Sequence, residues 1–478
     1  MRNYFFGLDV GTQGARVVLV DQQGTLIAAD DRKFKLDDTF REEQSPEIWW
    51  EACAEMMQQL IQQLPSDIDK KNIKAISVTS TSGTVIPLDA YNKPLHAAIM
   101  YSDPRSAEQG KRCKEIAGRH VKDGYTGFNA SSGISKMSWF QETYPEKAKD
   151  IALWIHASDY LVGKLSGNYR TTDYTNVLKS GYDLEQLAWP DYISSEIGID
   201  RSHLQDVVPS GTVVGKLDSV LADTWGIPQL DVVVGMTDGC ATQMASGAVK
   251  PGTWNTTIGT TLVIKGVTRK NVVDPLGRLY SHRHPEGYWM PGGASNTGAD
   301  WISIGFADGL DALNQAAEGL IPTGELAWPL VQEGERYPIM APQARGFAPS
   351  DLTREKLYAA NLEGVAFIEK LAYEIIHELS GEELEAVYSA GGGSNSDVWL
   401  KIRASVLQVP VYKCKEASGA FGAAIMAASN TYYSSLIEAA EAMTQIEKVV
   451  QPDGELQEAY ASQYENFKLK LKNLNYIA

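Results

Sequence analysis

Apolar residues along the chain occur either in unbroken runs or at helical spacing, and the two patterns alternate. Residues 7–24, GLDVGTQGARVVLVDQQG, contain two hydrophobic runs joined by a small polar turn, which predicts a β-hairpin. Residues 45–64 place apolar side chains at helical spacing after a serine and a proline, which predicts an amphipathic helix with Ser45 as its N-cap. Residues 73–83 predict a buried strand that ends in a small polar loop, and residues 84–95 predict the start of another hairpin.

The rest of the chain continues this alternation. Helical spacing dominates residues 107–192, most clearly at residues 134–151 and 154–167. In the second half, the predicted elements are a helix at 359–379, a strand at 384–390, a helix opened by a glycine turn at 391–412, and a tightly packed helix at 416–428.

A lone aspartate ends one of the predicted strands. The segment 231–249, DVVVGMTDGCATQMASGAV, predicts a buried strand that ends at Asp238, followed by a glycine and a helix from near Cys240. A carboxylate at the carboxyl end of such a strand is where an open α/β sheet usually binds its ligand. Asp238 is therefore a candidate site residue, and its other role would be the N-cap of the following helix.

An internal repeat indicates the domain organisation. Residues 255–266, NTTIGTTLVIKG, repeat the strand, Gly-Thr turn and strand of the first hairpin, 248 positions later. We therefore predict an α/β protein with two similar domains that face each other across a central cleft. The boundary is expected near residues 246–252, where small residues combine with proline and glycine, and this gives domains at residues 1–248 and 249–478.

Length and charge exclude some classes of partner. The chain has 478 residues, enough for two or three domains at about 100–200 residues each. Its formal net charge of −17 at pH 7 is spread along the sequence, which disfavours nucleic acid and anionic membranes as partners. A polyanionic substrate would therefore need a local positive site.

Cysteine and histidine spacing gives no sign of a disulfide framework or a transition-metal site. The four cysteines form no CxxC pair, which favours a reducing cytoplasm. No signal-peptide pattern and no run of about 18 apolar residues occurs, so we expect a cytoplasmic protein that begins at Met1. His282 and His284 lie beside turn residues, which predicts a solvated loop rather than a metal site.

The tip of the first hairpin suits a phosphate group. Gly11 lets the backbone approach a ligand closely, and exposed backbone N–H groups and the Thr12 hydroxyl would point at an anion. Asp9 would repel a bare phosphate, so we expect Mg²⁺ between them, bound directly or through water. A nucleoside triphosphate with its metal fits this pattern. The alternative is an ordinary hairpin turn with Asp9 as a turn-capping residue.

Two further glycine motifs and Asp238 extend this hypothesis. The second Gly-Thr turn, residues 259–261, would bind the polyphosphate from the other side of the predicted cleft. The run GGGSN at 391–395 would admit a nucleotide where a β-carbon would clash, although such a run between strand and helix is more often a turn. Phosphoryl transfer to an alcohol needs a carboxylate that takes the hydroxyl proton, and Asp238 is the best candidate.

The motifs LDVGTQG, MYSDPR, SKMSWFQETYPE, ASDYLVGKLSG, GMTDG, TIGTT, GGGSN and SGAFGAAIMA follow one another in this order. The order resembles the FGGY family of carbohydrate kinases, with the xylulose and ribulose kinases nearest, over residues 4–430. The resemblance implies an actin-like fold of two ribonuclease-H-like domains that close over ATP, Mg²⁺ and a sugar. It implies that Asp238 is the catalytic base and that Asp9 lies beside the metal. The implied phosphate-binding residues are Gly11, Thr12, Gln13, Gly259, Thr260 and Thr261. The implied adenosine-binding residues are Gly391, Gly392, Gly393 and Asn395.

The same resemblance implies a sugar site with departures from the xylulose kinases. Asp103 lies where these kinases carry an aspartate that binds sugar hydroxyls, beside Tyr101, where xylulose kinases have tryptophan. Where many xylulose kinases have Met-His-Gly, this chain has Thr-Ser-Gly at residues 81–83, as in the branch that resembles plant and cyanobacterial ribulose kinases. The implied sugar-binding residues are Ser80, Thr81, Ser82, Tyr101, Asp103 and Asp238.

We therefore expect an ATP- and Mg²⁺-dependent kinase that phosphorylates a terminal hydroxyl of a ketopentose, as xylulose kinases do. D-ribulose, another polyol or a sugar acid are alternative substrates. A non-catalytic actin-like ATP-binding scaffold would not need Asp103, and a sugar-binding sensor derived from a kinase would lose Asp9 or Asp238. A dehydrogenase is excluded because the first loop runs into a strand and lacks GxGxxG.

A few residues and partners stay open at this point. Arg16 is expected in a structural ion pair, with phosphate binding as its alternative. Asn296 is either a cleft residue or part of a turn, Ser418 is a candidate for the nucleotide edge, and Gly422 is expected to permit close helix packing. The expected partner is a small-molecule sugar, and a homodimer is compatible with the resemblance.

Overall fold

The computed structural model describes residues 2–37, 39–122 and 124–477, which form two compact units. The first unit comprises Met1–Ala245, His282–Gly287 and Glu416–Thr444. The second comprises Ser246–Ser281, Tyr288–Lys415 and Gln445–Ala478. The chain thus leaves the first unit close to the expected boundary at residue 248, but Glu416–Thr444 returns to it.

Most strands are short, and those at the centre of each unit are buried. In chain order, the strands are β1 (Tyr4–Val10), β2 (Gly14–Asp21), β3 (Leu26–Lys33), β4 (Glu43–Gln44), β5 (Ile73–Ser80), β6 (Val85–Leu88), β7 (Ala98–Ile99), β8 (Leu153–His156), β9 (Thr171–Asp173), β10 (Asp206–Val208), β11 (Val213–Lys216), β12 (Asp231–Thr237), β13 (Thr253–Ile258), β14 (Leu262–Gly266), β15 (Tyr280–Arg283), β16 (Trp289–Ser295), β17 (Ala386–Ala390), β18 (Val411–Cys414) and β19 (Ile446–Val450).

Helices alternate with these strands. They are α1 (Pro46–Gln62), α2 (Ala107–His120), α3 (Gly133–Thr143), α4 (Pro145–Ala148), α5 (Ala157–Ser166), α6 (Tyr174–Val177), α7 (Ser219–Trp225), α8 (Asp238–Ser246), α9 (Asp300–Gly305), α10 (Leu310–Glu318), α11 (Arg354–Ser380), α12 (Asp397–Leu407), α13 (Gly419–Ala428), α14 (Leu436–Met443) and α15 (Gly454–Asn473). Short 3₁₀ turns lie at Lys70–Asn72, Leu178–Ser180, Arg201–His203 and Gly392–Asn395, and a π-helical turn lies at Ile193–Ile197. Among the described residues, no helix combines the length and apolar character needed to cross a bilayer.

The main sheet of the first unit has the strand order β11-β12-β5-β1-β2-β3. The predicted hairpin is present as the antiparallel pair β1 and β2, and β3 continues it in antiparallel fashion. Strand β5 lies parallel to β1 on one side and to β12 on the other. Because these three strands are parallel, their carboxyl ends meet at one edge of the sheet.

The second unit repeats this plan. The central part of its sheet has the order β16-β14-β13-β17-β18-β19. Strands β13 and β14 form the second predicted hairpin, and β13 is followed outward by the parallel strands β17 and β18. The repeated Gly-Thr hairpin therefore opens the same arrangement in each unit, and the predicted α/β class is confirmed.

Each unit has its own hydrophobic core. In the first unit, α1 buries Trp49, Cys53, Met56 and Met57 on the face that the helical spacing predicts. Burying one such side chain stabilises the fold by about 1.5–3 kcal/mol. Ser45 stands at the N-cap position as predicted, but its side chain makes no capping hydrogen bond.

Helix α13 explains why Glu416–Thr444 belongs to the first unit. Every residue of α13 is buried, so this helix has no face for solvent and must lie inside a unit. A β-carbon on Gly7 of β1 would lie 1.9 Å from the carbonyl oxygen of Ala420, and one on Gly422 would lie 2.0 Å from that of Ala241. Only glycine permits these approaches, which confirms the packing role predicted for Gly422.

Three local predictions are wrong. Residues 154–156, predicted as the start of a helix, belong to strand β8, which pairs with β6, because a short apolar run does not distinguish a buried strand from a helix. His282 and His284 are buried rather than solvated, and burial lowers the pKa of His284 to about 3. The glycines at 391–393 do not open an α-helix directly, because Gly392–Asn395 form a 3₁₀ turn and α12 begins only at Asp397, with Ser396 as its N-cap.

Candidate active site

The tip of the first hairpin is a tight turn whose backbone is held by its own hydrogen bond and by a buried side chain. The Gly11 backbone N–H donates to the carbonyl oxygen of Gly14 at 2.9 Å. The side-chain amide of Gln44 donates to the carbonyl oxygen of Thr12 at 2.8 Å and accepts from the indole N–H of Trp49 at 2.8 Å. The loop conformation is therefore set by a buried side chain that sequence reasoning did not identify, and Gln13 is left exposed at the tip.

Asp9 is half-buried, and one of its carboxylate oxygens, Oδ1, is buried without a hydrogen-bond partner among the described residues. Burial and the nearby charge of Asp238 raise the pKa of Asp9 to about 7, although the charge of Arg16 opposes this shift. The start of α13 is also close, because a β-carbon on Gly419 would lie 2.5 Å from Asp9 Oδ2. A cation beside Asp9 would satisfy the free oxygen and relieve the repulsion between the two carboxylates.

Asp238 occupies the predicted place at the carboxyl end of β12. It is the first residue of α8 and is half-buried, so it is accessible to a ligand. Its Oδ1 atom accepts a hydrogen bond of 2.6 Å from the backbone N–H of Gly239. Thr237, the preceding residue, pairs with Ser80 of β5, and Val10 of β1 also pairs with Ser80. The structure therefore brings Asp9, Asp238 and the end of β5 to one edge of the sheet.

The three hydroxyl residues at the end of β5, Ser80, Thr81 and Ser82, differ in whether their hydroxyls already make hydrogen bonds. Ser80 Oγ donates to the carbonyl oxygen of Val10 at 2.8 Å, and Thr81 Oγ1 lies 3.0 Å from Thr84 Oγ1. Ser82 Oγ is buried and has no hydrogen-bond partner among the described residues. Of these three predicted sugar-binding residues, Ser82 is the one with an unused hydroxyl.

Asp103 is held by Arg105. The Asp103 carboxylate is 1% exposed and accepts from Arg105 Nε at 3.0 Å and from an Arg105 terminal nitrogen at 2.7 Å. Arg105 also donates to Glu43 at 2.6 Å and lies over the Trp139 ring at 4.4 Å. The carboxylate of Asp103 thus anchors an arginine, while neighbouring Tyr101 is 37% exposed.

Lys136 supports the same loop from α3. Its Nζ atom is buried and donates to the carbonyl oxygens of Asp103 at 3.0 Å and Ala130 at 2.5 Å. Burial lowers the pKa of Lys136 to about 8, although the charge of Asp103 opposes this shift. The Asp103–Arg105 loop is therefore fixed by a charge pair on one side and by a buried amine on the other.

The second hairpin loop lies against a buried carboxylate network. Gly259 N–H donates to the carbonyl oxygen of Thr261 at 3.0 Å, and Ala299 N–H donates to that of Gly259 at 2.7 Å. A β-carbon on Gly298 would lie 2.3 Å from the carbonyl oxygen of Thr260. The segment before Gly298 is anchored by Glu335, whose carboxylate accepts from Ser295 Oγ at 2.7 Å, Asn296 N at 2.7 Å and Thr297 Oγ1 at 2.9 Å.

The glycines at 391–393 have different environments. Gly391 has φ +80°, and its β-carbon would lie 2.5 Å from the carbonyl oxygen of Ile258. A β-carbon on Gly393 would lie 2.8 Å from Cβ of Ile258. Gly392 and Asn395 are exposed, and no atom lies within 4 Å of a β-carbon on Gly392. Packing alone therefore explains two of these glycines, whereas Gly392 and Asn395 are open to a ligand.

Three residues whose roles the sequence did not decide, Arg16, Asn296 and Ser418, make contacts within the protein. Arg16 lies 3.8 Å from Asp31 and 3.6 Å from Glu416, which confirms the expected ion pairing. The side chain of Asn296 donates to the carbonyl oxygen of Gly334 at 2.9 Å within a turn, and Ser418 Oγ caps α13.

One other cluster is arranged like the serine, histidine and aspartate of a hydrolytic triad, but a substrate cannot reach it. His156 Nε2 lies 2.9 Å from Ser180 Oγ, and its Nδ1 atom lies 3.1 Å from Asp159 Oδ2. All three side chains are 2% exposed or less. A nucleophile needs contact with its substrate, so this cluster stabilises the interior of the first unit.

Comparisons with known proteins agree with this arrangement. The N-terminal domain of the FGGY family of carbohydrate kinases matches residues 4–245, and the C-terminal domain of that family matches residues 248–431. A gluconokinase of Bacillus licheniformis is 29% identical over 437 residues, covering 86% of this chain and 84% of the relative. A xylulose kinase of Bacillus subtilis is 27% identical over 499 residues, covering 99% and 98%.

Solved structures share the fold over the whole chain. A crystal structure from Brucella ovis, described as a xyloylose kinase, has a TM-score of 0.87 at 22% identity and covers 99% of both chains. Glycerol kinase from Plasmodium falciparum, solved with ADP, has a TM-score of 0.83 at 19% identity and covers 98% of both chains. With both family domains matched in order, the chain belongs to the FGGY family of carbohydrate kinases and is a sugar kinase.

Proposed function

We propose that this chain transfers the γ-phosphoryl group of ATP to a terminal hydroxyl group of a ketopentose of the xylulose type. The observation that carries the proposal is the placement of Asp9 and Asp238 at one sheet edge, beside the hydroxyl residues that follow β5. The relatives named xylulose kinase, which match almost the full length of the chain, support this substrate class.

Asp238 is the proposed general base. It takes the proton of the sugar hydroxyl while that oxygen forms a bond to the γ-phosphorus. The bond between the γ-phosphorus and the bridging oxygen breaks in the same displacement, and ADP leaves. The hydrogen bond from the Gly239 N–H to Oδ1 fixes the orientation of the Asp238 carboxylate.

Mg²⁺ fits the donors beside the first loop. Asp9 offers a hard oxygen ligand that is buried and without a partner among the described residues. No group of three or more His, Cys, Asp or Glu side chains suited to a metal occurs in the described part of the chain, so water and phosphate oxygens would complete the ligands. The metal would neutralise charge on the phosphate oxygens.

Contacts with ATP and sugar are assigned to the loops that the sequence predicts. Ser82 is the proposed hydroxyl ligand of the sugar, and Asp103 with Arg105 holds the neighbouring loop that carries Tyr101. The proposed phosphate contacts are Gly11, Thr12, Gln13, Gly259, Thr260 and Thr261. The proposed adenosine contacts are Gly391, Gly392, Gly393 and Asn395. The domain limits, the homodimer and the cytoplasmic location stay predictions.

The substrate is tested by ADP release from the purified protein with Mg²⁺ and ATP. The panel comprises D-xylulose, D-ribulose, L-xylulose, L-ribulose, glycerol, erythritol and gluconate. We expect the strongest stimulation with a ketopentose. Stimulation by D-ribulose alone would follow the Thr-Ser-Gly segment at 81–83, and stimulation by gluconate alone would favour a sugar acid, as in the gluconokinase relatives. Binding of ATP without stimulation by any sugar would support the non-catalytic scaffold.

The base is tested by Asp238→Asn, with Asp231→Asn as a matched control. Asp231 begins the same strand and pairs with Lys216 at 2.7 Å, far along β12 from Asp238. We expect Asp238→Asn to lower kcat by about 10³-fold, which is the order of the contribution that a general base makes to the rate. Asp231→Asn should have the kcat of the wild type. Wild-type turnover in Asp238→Asn would overturn the proposal.

A further inference from the structure

We infer that Thr175 and Asp173 are positioning residues for the carboxylate of Asp238, an inference that rests on the proposed role of Asp238. The observation is a hydrogen bond of 2.8 Å from the backbone N–H of Thr237, the residue before Asp238, to Thr175 Oγ1. The same Oγ1 donates to Asp173 Oδ2 at 2.8 Å. A hydroxyl has one proton, so donation to Asp173 turns its lone pairs toward the Thr237 N–H.

The sheet itself does not hold the end of β12 in regular register. Strand β12 pairs with β5 regularly from Asp231 to Val234, and the register then shifts before Thr237. A β-carbon on Gly235 would lie 2.0 Å from the carbonyl oxygen of Val78, so the two backbones approach closely at the irregularity. Side chains replace regular pairing here, with Thr79 Oγ1 bound to the carbonyl oxygen of Met236 at 2.7 Å.

Asp173 is a rigid anchor for the threonine hydroxyl. It is fully buried, at the end of β9 and at the N-cap of α6. Its Oδ2 atom also accepts from Thr175 N at 2.8 Å and from Ser210 Oγ at 2.6 Å, and its Oδ1 atom accepts from Asn176 Nδ2 at 2.7 Å. Because these bonds hold both carboxylate oxygens, the Thr175 hydroxyl has one orientation. The position of Asp238 therefore depends on a contact that its neighbour Thr237 makes with a residue 62 positions earlier in the chain.

The test compares Thr175→Val, Thr175→Ser and Thr172→Val. Valine keeps the shape of threonine and removes the hydroxyl, whereas serine keeps the hydroxyl. Thr172 has the same 0% exposure as Thr175, and its hydroxyl lies near His156 instead, so Thr172→Val is the matched control. We expect Thr175→Val to lower kcat by about 10–100-fold with the KM for ATP unchanged, since small displacements of a reacting group cost rates of this order.

Rescue and non-additivity distinguish positioning from general stability. Thr175→Ser should keep kcat within about 3-fold of the wild type, and Thr175→Val should cost little in an Asp238→Asn background, because groups acting as a unit are not additive. Equal losses in Thr175→Ser and Thr175→Val, or the same loss in Thr172→Val, would overturn the inference. An unchanged kcat in Thr175→Val, together with an inactive Asp238→Asn, would also overturn the inference. That result would leave the proposed function intact. Full activity of Asp238→Asn would instead overturn the proposed function.

A second variant keeps the test open if Thr175→Val does not fold. Ser210→Ala removes one donor from Asp173 without touching Thr175. We expect a smaller loss of kcat, about 3-fold, again with the KM for ATP unchanged, because the anchor loses one of its restraints. A kcat equal to that of the wild type would contradict the anchoring role of Asp173.

Discussion

The hairpin loops of the two units share a backbone plan and differ in charge. Each loop is closed by a hydrogen bond from its first glycine, and each follows a strand that pairs in parallel with a later strand. In the first loop, Asp9 lies two residues before Gly11 and close to Asp238. The position 248 residues after Asp9 is Thr257, whose hydroxyl donates to Asn255 at 3.0 Å. The repeat thus copies the backbone of the loop, whereas the position that carries a carboxylate in the first unit carries a hydroxyl in the second.

The two loops also differ in what supports them. Gln44 reaches the first loop directly through the carbonyl oxygen of Thr12. Glu335 reaches the second loop indirectly, by fixing residues 295–297, which precede the contact between Ala299 and Gly259. The first loop, which follows Asp9, therefore has a neutral support, and the second loop, which follows Thr257, has a charged one.

The largest expected difference between the loops is in turnover. We expect Asp9→Asn to lower kcat by about 10³-fold, because it removes the carboxylate assigned to the metal side of the phosphates. Thr257→Val, the equivalent change in the second loop, should stay within about 3-fold because its hydroxyl serves a local bond. Steady-state assays at saturating sugar and several Mg²⁺ concentrations measure both. Similar losses in the two variants would break the asymmetry.

The second difference is that a carboxylate beside the first loop, Asp9, should make the free energy of unfolding depend on pH. The pKa of Asp9 is about 7 in the folded protein and 3.8 when unperturbed, so the folded state binds the proton more tightly. Stability should therefore fall as pH rises from about 4 to 7, by at least about 2 kcal/mol from this carboxylate. Urea unfolding of the wild type and Asp9→Asn in EDTA, at pH 5 and pH 7, measures the difference. Equal pH dependence of the free energy of unfolding in the two proteins would contradict the raised pKa of Asp9.

Local pattern was enough to predict both loops and the strands that carry them. Asp9, Asp238 and the two Gly-Thr turns follow hydrophobic runs, and such runs place their ends at sheet edges whatever the rest of the fold does. The supports were not predictable in this way. Arg105 reaches Glu43, and Thr175 reaches Thr237, across 62 residues in each case, and no local pattern encodes such a contact. Strand β8 was missed because four apolar residues fit either a helix or a strand.

The third comparison uses glycines that have room for a side chain. A β-carbon on Gly259 would meet no atom within 4 Å, and one on Gly11 would lie 3.7 Å from the carbonyl oxygen of Gly14. Gly11→Ala and Gly259→Ala should therefore leave the midpoint of thermal unfolding nearly unchanged. If both loops approach phosphates through their backbones, each variant should raise the KM for ATP by about 10-fold. An unchanged KM in either variant would remove that loop from the proposed ATP contacts.

The smallest expected effect concerns the two supports, Gln44 and Glu335. Glu335→Gln keeps the size of the side chain but offers fewer acceptor oxygens to Ser295, Asn296 and Thr297, so the second loop should loosen. We expect the KM for ATP to rise by about 3-fold with kcat nearly constant, since no charge that acts on the reacting groups is lost. Gln44→Glu, the reverse exchange, places a carboxylate against the first loop and removes the amide that donates to Thr12. It should lower kcat as well as ATP affinity, because the added negative charge acts on the loop to which we assign the metal and the phosphates. If Glu335→Gln lowered kcat and Gln44→Glu did not, the residues that act on the transferred phosphoryl group would have to be sought beside the second loop instead.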